Sequence, residues 1–234
     1  MKAIFKRELD NYLNNPMGYV FLGIFILMFS GIFCYGNLYG FKSSDISYTF
    51  EVMIYAMLCI MPLLTMRLMA EEKASKTDQL LLTSPVTSAG IVFGKFFAVM
   101  SLVIIALIFT MPHVIILIGF GNPAVGTSVL AYLGFVMYAA VYASIGLFIS
   151  SLTENQVISA VITFTAFIAM LASEFLVQSI QNPVLYKILG SISFAVRYNN
   201  FCMGILNISS VIYYLSVTAM FIYFTVLSVE KRRW

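Results

Sequence analysis

The chain has 234 residues, of which 61% are apolar and only 10% are charged. Soluble domains are roughly 45–50% apolar and about 25% charged, so this composition excludes an ordinary soluble fold. The formal net charge of +3 comes from scattered lysines and arginines, which excludes a basic surface dense enough to grip nucleic acid. A spanning helix needs about 20 mostly apolar residues, so we expect one transmembrane domain over residues 1–234 with several spans.

The first element is an amphipathic segment over residues 1–15. One face holds the apolar residues Met1, Ile4, Phe5, Leu9, Tyr12 and Leu13, and the other holds Lys2, Lys6 and Asp10. Asn15-Pro16 ends the pattern. It predicts an interfacial helix on the inner leaflet, which serves either as a lipid anchor for the first span or as a contact for a cytoplasmic partner.

Six apolar stretches are predicted to span the membrane. A long uncharged stretch between Lys95 and Glu154 supplies the third and fourth spans, because the turn "GFGNPAVG" at 119–126 divides it. The other four are residues 17–36, residues 48–69 with Glu51 and Arg67 at the two ends, residues 156–177 with Glu174 near the far end, and residues 208–229.

Charge in the loops predicts the orientation. With the N-terminus in the cytoplasm, ten lysines and arginines lie inside, and only Lys42, Lys187 and Arg197 lie outside. This distribution follows the positive-inside rule. Both termini and the polar loop between the second and third spans are therefore expected to be cytoplasmic.

Two segments are longer than simple connections. Residues 70–87, "AEEKASKTDQLLLTSPVT", combine charges with leucines and close with Ser84-Pro85, which predicts a short amphipathic helix and turn. We interpret this segment as a docking surface for a protein; a solvated loop is the alternative. Residues 178–207 are external yet apolar, and predict re-entrant or interfacial half-helices that act as a gate or as a structural plug.

Two catalytic patterns lack residues that their chemistry requires, and a third is kept as an alternative. "GIVFGK" at 90–95 has three residues between its glycines where a phosphate loop needs four, so Gly90 and Gly94 are better explained by close helix packing. Glu71-Glu72 with Lys76 lacks the arginine and histidines of membrane proteases of the CAAX type. Ser144 with His113, the only histidine, leaves an intramembrane hydrolase as a remote alternative.

Cysteine spacing predicts no disulfide framework and no metal site. Cys34, Cys59 and Cys202 are far apart in the sequence, and neither a CxxC motif nor a cluster of cysteine and histidine is present. We therefore expect ordinary membrane cysteines and no metal ion in this chain.

Two stretches resemble the ABC-2 type transporter permeases, and within them the GldF-like branch. They are "LLTMRLMAEEKASKTDQLLLTSPVTSAGIVFGKFFA" at 63–98 and "YNNFCMGILNISSVIYYLSVTAMFIYFTVLSVEKRRW" at 198–234. With the first helix and the six spans, the resemblance covers the whole chain. One departure is Lys76, which stands where many relatives have glycine.

The resemblance implies a type V ABC exporter-like, all-α membrane fold of six transmembrane helices with an interfacial helix, a cytoplasmic coupling helix and external re-entrant half-helices. It implies a second permease copy or paralogue and separate ATP-binding cassette subunits, which would bind ATP and Mg. The residues that it places at the coupling site are Glu71, Glu72, Lys76, Thr77, Asp78, Leu81 and Pro85. It places the first helix beside them, with Ile4, Phe5, Arg7 and Leu9.

By the same resemblance, the translocation cavity lies between two permeases and is lined by the second and fifth spans. Candidate lining residues are Met57, Met61, Phe164, Phe167 and Met170, whose soft side chains suit an apolar substrate, although packing alone explains each of them. The expected function is a non-catalytic permease that exports an amphiphilic substrate, lipid-like, peptide or drug, across a bacterial-type cytoplasmic membrane. The alternatives are the hydrolase and a membrane scaffold of an envelope or motility complex, and an accessory envelope protein is a further expected partner.

Overall fold

The structure is a computed structural model that describes residues 1–40, 45–78, 86–120, 124–179 and 193–232. Throughout these ranges the chain forms helices joined by turns, and none of their residues lies in a strand. The prediction of an all-helical fold is confirmed.

The helices follow the predicted elements closely. In chain order they are α1 (Lys2–Asn14), α2 (Pro16–Phe33), α3 (Ser47–Thr65), α4 (Ala70–Ala74), α5 (Ser88–Phe120), α6 (Val125–Leu152), α7 (Gln156–Ser179), α8 (Phe194–Cys202) and α9 (Ile208–Lys231). A π-helical turn, Cys34–Gly40, continues α2.

Five stretches of the described chain are long and apolar enough to cross a membrane. They are Pro16–Tyr39, Ser47–Ala74, Ser88–Gly119, Val125–Leu152 and Ile208–Lys231. The apolar part of α7 is shorter, Gln156–Ala172. Five of the six predicted spans therefore meet the criterion of length and composition.

The long helices alternate in direction, which gives the bundle two distinct ends. One end brings together α1, α4, the C-terminal ends of α6 and α9 and the start of α7, and we call it the α1 end. The opposite end holds α8 and the turns around Asn37 and Asp45, and we call it the far end.

The centre of the bundle is formed by α3 and α6. Of the most apolar window of α6, 72% is buried, against 28% for α2 and for α9. Gly146 of α6 permits a close approach to α3, because a Cβ atom there would lie 2.6 Å from Cβ of Thr65. Near the far end, a Cβ atom on Gly134 would lie 2.7 Å from Cβ of Phe201 in α8.

The corner between α1 and α2 is set by its local sequence. Asn15 is extended, with φ −96° and ψ 149°, as expected before a proline, and Pro16 then starts α2. Gly18 leaves room for the backbone of Tyr12, and the Tyr12 hydroxyl donates to the Leu64 carbonyl oxygen at 2.9 Å. Helix α1 is thereby anchored on the C-terminal end of α3.

Candidate functional site

A cluster of four charged side chains, of which Lys95 and Glu8 are buried, lies at the α1 end. Lys95 of α5 is only 1% exposed, and its Nζ atom lies 3.0 Å from Glu8 Oε1 and 2.9 Å from Glu72 Oε2. Arg7 completes the cluster, with Nη2 at 2.6 Å from Glu8 Oε1 and 2.5 Å from Glu72 Oε1. We call Arg7, Glu8, Glu72 and Lys95 the charge junction. It joins α1, α4 and α5.

The two cations of the junction match its two anions in number. Burial alone would raise the pKa of Glu8, but the charge of Lys95 and the hydrogen bonds from Arg7 and Lys95 outweigh it and hold that pKa below its ordinary value. Burial alone would likewise lower the pKa of Arg7, and the two carboxylates raise it instead. Removing Lys95 would leave both carboxylates with only the half-exposed Arg7 to compensate them.

Gly94 allows α1 to approach α5 at the junction. A Cβ atom on Gly94 would lie 3.0 Å from Cγ2 of Ile4. The absence of a side chain at Gly94, next to Lys95, therefore leaves room for the apolar face of α1 to pack on α5. The close packing predicted for Gly94 is present. At Gly90 the nearest atoms belong to Thr87 and Val86, so that glycine lies against its own segment.

The break between α3 and α4 is held by the end of α6. The backbone N–H groups of Met69 and Ala70 donate to Ser150 Oγ at 3.0 and 3.1 Å, and Ser150 Oγ donates to the Met66 carbonyl at 3.2 Å. One residue on, the Ser151 carbonyl accepts from Lys73 Nζ and, at 3.3 Å, from Ser228 Oγ of α9. The end of α6 therefore connects α4 with α9.

The predicted coupling segment 70–87 is described by the structure at residues 70–78 and 86–87. Its described α-helical part, α4, has five residues and ends in a turn at Lys76, which has φ +58°. This left-handed conformation favours glycine, which explains why a glycine suits that position. Leu81 and Pro85 lie outside the described residues.

The remaining predicted coupling residues gather at the α1 end. The Glu72 side chain is 16% exposed in the junction, whereas the Glu71 side chain is 48% exposed and lies 3.7 Å from Arg67. Asp78 lies 3.3 Å from Arg232 at the end of α9, and Arg232 also pairs with Glu154 in the turn before α7. Thr77 Oγ1 lies 2.9 Å from Ser75 Oγ in the turn that contains Lys76.

A polar cleft opens beside the junction, between α1 and the segment that links α3 to α4. Its volume is about 630 Å³, and its walls include Asp10, Asn11, Asn14, Arg67, Glu71 and Thr77. Of the predicted residues on α1, Ile4 is buried, Leu9 packs against the core, and Phe5 is partly buried. The cleft is thus lined by polar groups from α1 and from the predicted coupling segment.

The predicted cavity residues have mixed environments. Met57, Met61 and Phe167 are fully buried, and the Phe167 ring lies 4.2 Å from that of Tyr142. Phe164 is 39% exposed, and Met170 is partly buried against the core. Their role as the lining of a cavity between two permeases stays a prediction.

His113 and Ser144 bond to other partners. His113 Nε2 lies 3.0 Å from Ser30 Oγ, and Nδ1 lies 3.1 Å from the Thr110 carbonyl oxygen. The Ser144 hydroxyl donates to Val141 of its own helix at 2.7 Å. These contacts suit helix packing, and they give no support to a serine nucleophile with a histidine base.

Glu8, Lys95 and Ser150 are the site residues that the sequence interpretation missed. Lys95 had a usable signal, because a lone lysine close to the start of a long apolar stretch needs a partner or a function. Glu8 and Ser150 had none, since their partners lie 87 and about 80 residues away in the chain.

Comparison with known families identifies the class of protein. A family model described as an ABC-2 family transporter protein matches residues 14–171, about two thirds of the chain. The chain belongs to this family of transporter membrane proteins. No curated protein shows a significant match.

The family defines the general role of the chain. Its members are generally non-catalytic membrane subunits that pair with an ATP-binding cassette subunit. Together with the apolar helices, the match makes this chain a multi-pass membrane protein of the transporter permease type. Glu72 and Lys95 lie inside the matched residues, and Arg7 and Glu8 precede them.

Proposed function

We propose that this chain is the permease subunit of an ATP-driven exporter, and that the charge junction transmits the movement of a docked ATPase into the membrane helices. The observation that carries the proposal is the pairing of Lys95 with both Glu8 and Glu72 at 2.9–3.0 Å. This pairing ties the expected docking segment and the amphipathic first helix to one transmembrane helix.

The α1 end would face the cytoplasm. Ten lysines and arginines belong to this end and to its flanking segments when the N-terminus is placed inside, in agreement with the positive-inside rule. Six spans follow if α7 also crosses, which its total length of 24 residues permits. The membrane would be a bacterial-type cytoplasmic membrane, with both termini inside.

Docking would use the exposed groups, and transmission would use the buried ones. Glu71 and the polar cleft can receive a partner, whereas Glu72 faces Lys95. A displaced α4 would move α5 through Lys95, α1 through Arg7, and α9 through Asp78 and Arg232. Such linked rigid bodies allow a two-state change of access.

The finer assignments follow the family resemblance. A second permease copy or a paralogue would complete the translocation pathway, and the ATPase subunits would hold ATP and Mg. The GldF-like branch, the external half-helices and an amphiphilic substrate belong to this proposal, with Met57, Met61, Phe164, Phe167 and Met170 as candidate cavity residues.

The experiment separates docking from transmission by using two neighbouring glutamates. The complex with the co-purifying ATP-binding cassette subunit is reconstituted in lipid, and its ATPase activity and subunit ratio are measured. Glu71→Ala should reduce the amount of bound ATPase about fivefold and leave thermal stability unchanged. Glu72→Ala should lower stability as well, because it leaves Glu8 as the one carboxylate that compensates both Lys95 and Arg7.

Glu230→Ala is the matched control, since Glu230 is an exposed glutamate near the same end. It should match the wild type in ATPase activity, in subunit ratio and in thermal stability. Unchanged ATPase binding and activity in the Glu71→Ala variant would remove the docking role of this segment. Absence of any co-purifying ATPase would contradict the proposed function itself.

A further inference from the structure

A second cavity, of about 300 Å³, lies at the far end between the first turns of α3 and helix α8. Its polar lining consists of Glu51, Tyr55 and Asn199, with Tyr198 at its inner side, and Val52 and Val196 contribute apolar surface. This volume is at the lower limit of small-molecule sites, about 300–1,000 Å³. It is large enough for a head group and the first carbons of a chain.

Glu51 has no cationic partner among the described residues. It is half-buried, and none of the ion pairs between described residues includes it. Asp45 lies near enough for its negative charge to act on Glu51. A bound cation stabilises a partly buried carboxylate that has a second carboxylate nearby. It offsets both the loss of hydration and the repulsion between the two like charges.

The nearest described cation on α8 is directed at α9. The Arg197 guanidinium carbon lies 4.3 Å from the centre of the Tyr213 ring, and Nη1 donates to Ser209 Oγ at 3.3 Å. Both contacts are with the first turns of α9, whereas the cavity lies between α8 and α3. These contacts of Arg197 therefore lie on the side of α8 that faces α9.

The inner side of the cavity adds aromatic surface and a buried hydroxyl. Tyr198 is only 1% exposed, and its hydroxyl, beside the Cys202 thiol, has no hydrogen-bond partner of good geometry among the described residues. Tyr55 supplies a second aromatic ring, 42% exposed, at the cavity. A carboxylate next to aromatic rings is the arrangement that recognises ammonium groups.

We propose that this cavity binds the ammonium head group of an amphiphilic ligand, with Glu51 as the counter-ion and Tyr55 and Tyr198 as the aromatic walls. The valines at the cavity would contact the first methylene groups of the ligand. An anion would be repelled by Glu51 and Asp45, and a neutral alcohol would leave the carboxylate without a counter-ion.

The test uses N-dansyl-1,12-diaminododecane, which carries one free ammonium group, with the full chain in nanodiscs of neutral phosphatidylcholine. Glu51→Gln should raise the Kd of the probe tenfold or more, and Tyr55→Ala should raise it about threefold. Glu154→Gln, which removes a carboxylate at the α1 end, should leave the Kd within twofold. Dodecylammonium should displace the probe, and dodecyl sulfate should not.

Equal affinity in wild type and Glu51→Gln, or equal displacement by dodecyl sulfate, would overturn the proposal. Thermal unfolding of each variant checks that it is folded, and Tyr55→Ala keeps the test decisive if Glu51→Gln unfolds. Lys42→Ala and Lys187→Ala identify the source of the ammonium group. A rise in probe affinity of fivefold or more in either variant would assign the cavity to a lysine of the chain and exclude an external ligand.

Discussion

The two ends of the bundle use different chemistry to hold their helices. At the α1 end, cations and anions from different elements pair directly, as Lys95 does with Glu8 and Glu72. Among the described residues of the far end, neutral groups join the elements in the following contacts. Thr49 Oγ1 donates to Asn37 Oδ1 at 2.7 Å, and the Tyr214 hydroxyl donates to the Phe194 carbonyl at 2.7 Å.

This difference suggests that the two ends of the bundle have different roles. Buried paired charges are costly to separate, so helices joined by them move together. Neutral hydrogen bonds are each worth only about 0.5–1.5 kcal/mol and can be exchanged for contacts with a ligand or water. We therefore expect movement to enter at the α1 end and a ligand to be recognised at the far end, where Glu51 has a cavity beside it.

The largest effect should come from removing the central cation of the junction. Lys95→Met leaves Glu8 and Glu72 buried with only Arg7 to compensate them, and should lower the free energy of unfolding by about 3–5 kcal/mol. The free energy is measured by titration with SDS in mixed micelles. Lys2→Met, an exposed lysine of α1, is the control and should change stability little.

A rescue variant distinguishes unpaired charge from lost packing. Adding Glu8→Gln and Glu72→Gln to Lys95→Met removes the stranded carboxylates, and should recover more than half of the lost stability. If the triple variant is less stable than Lys95→Met, then the aliphatic part of Lys95 supplies the stability. The contrast between the two ends would then lose its electrostatic basis.

The second effect concerns α6, which runs between the two ends. Gly146→Ala forces Cβ against Thr65 of α3, and should destabilise by about 1–3 kcal/mol. Gly23→Ala is the matched control, because nothing lies within 4 Å of a Cβ atom there. It should be neutral or stabilising by up to about 1 kcal/mol. A Gly146→Ala variant as stable as Gly23→Ala would mean that α3 and α6 are free to separate.

The sequence predicted local features better than long-range partners. Asn15-Pro16 ends α1, and α5 ends at Phe120 and α6 begins at Val125, within the predicted break at 119–126, because proline and glycine act on the backbone nearby. The junction could not be predicted in this way, since Glu8 and Lys95 are 87 residues apart and meet only after α1 packs on α5. A charge cluster of this kind depends on tertiary structure, whereas apolar periodicity does not.

Lys76 combines a feature that the sequence shows with one that only the structure shows. Its departure from glycine was visible in the sequence, but its φ of +58° was not. The alternation of charge and leucine predicts a short amphipathic helix and turn within residues 70–87. The structure describes helix α4 and the turn at Lys76 there, and the leucines at 80–82 lie outside the described residues.

A third prediction concerns this turn at the α1 end. Lys76→Gly removes the penalty of a left-handed conformation, and should stabilise the turn by about 1 kcal/mol. Amide hydrogen exchange of the segment 70–78 should slow about fivefold. Lys73→Gly, inside α4, is the control and should speed exchange. Faster exchange in Lys76→Gly would show that the lysine side chain stabilises the turn.

The smallest effect in the physiological range should be the response of the junction to acid. The pKa of Glu8 is held below its ordinary value of 4.5, so its ion pairs stabilise the fold above about pH 4.5 and are lost as pH falls below that value. Between pH 7 and pH 5 the Glu8 contribution should therefore stay constant. Thermal unfolding of wild type and Glu8→Gln, measured from pH 7 to pH 3, should give a constant difference down to about pH 5 and a shrinking one below it. A difference that grows in favour of the wild type as the pH falls from 7 to 5 would mean that the pKa of Glu8 lies above its ordinary value, and that burial outweighs Lys95 and Arg7 at the junction.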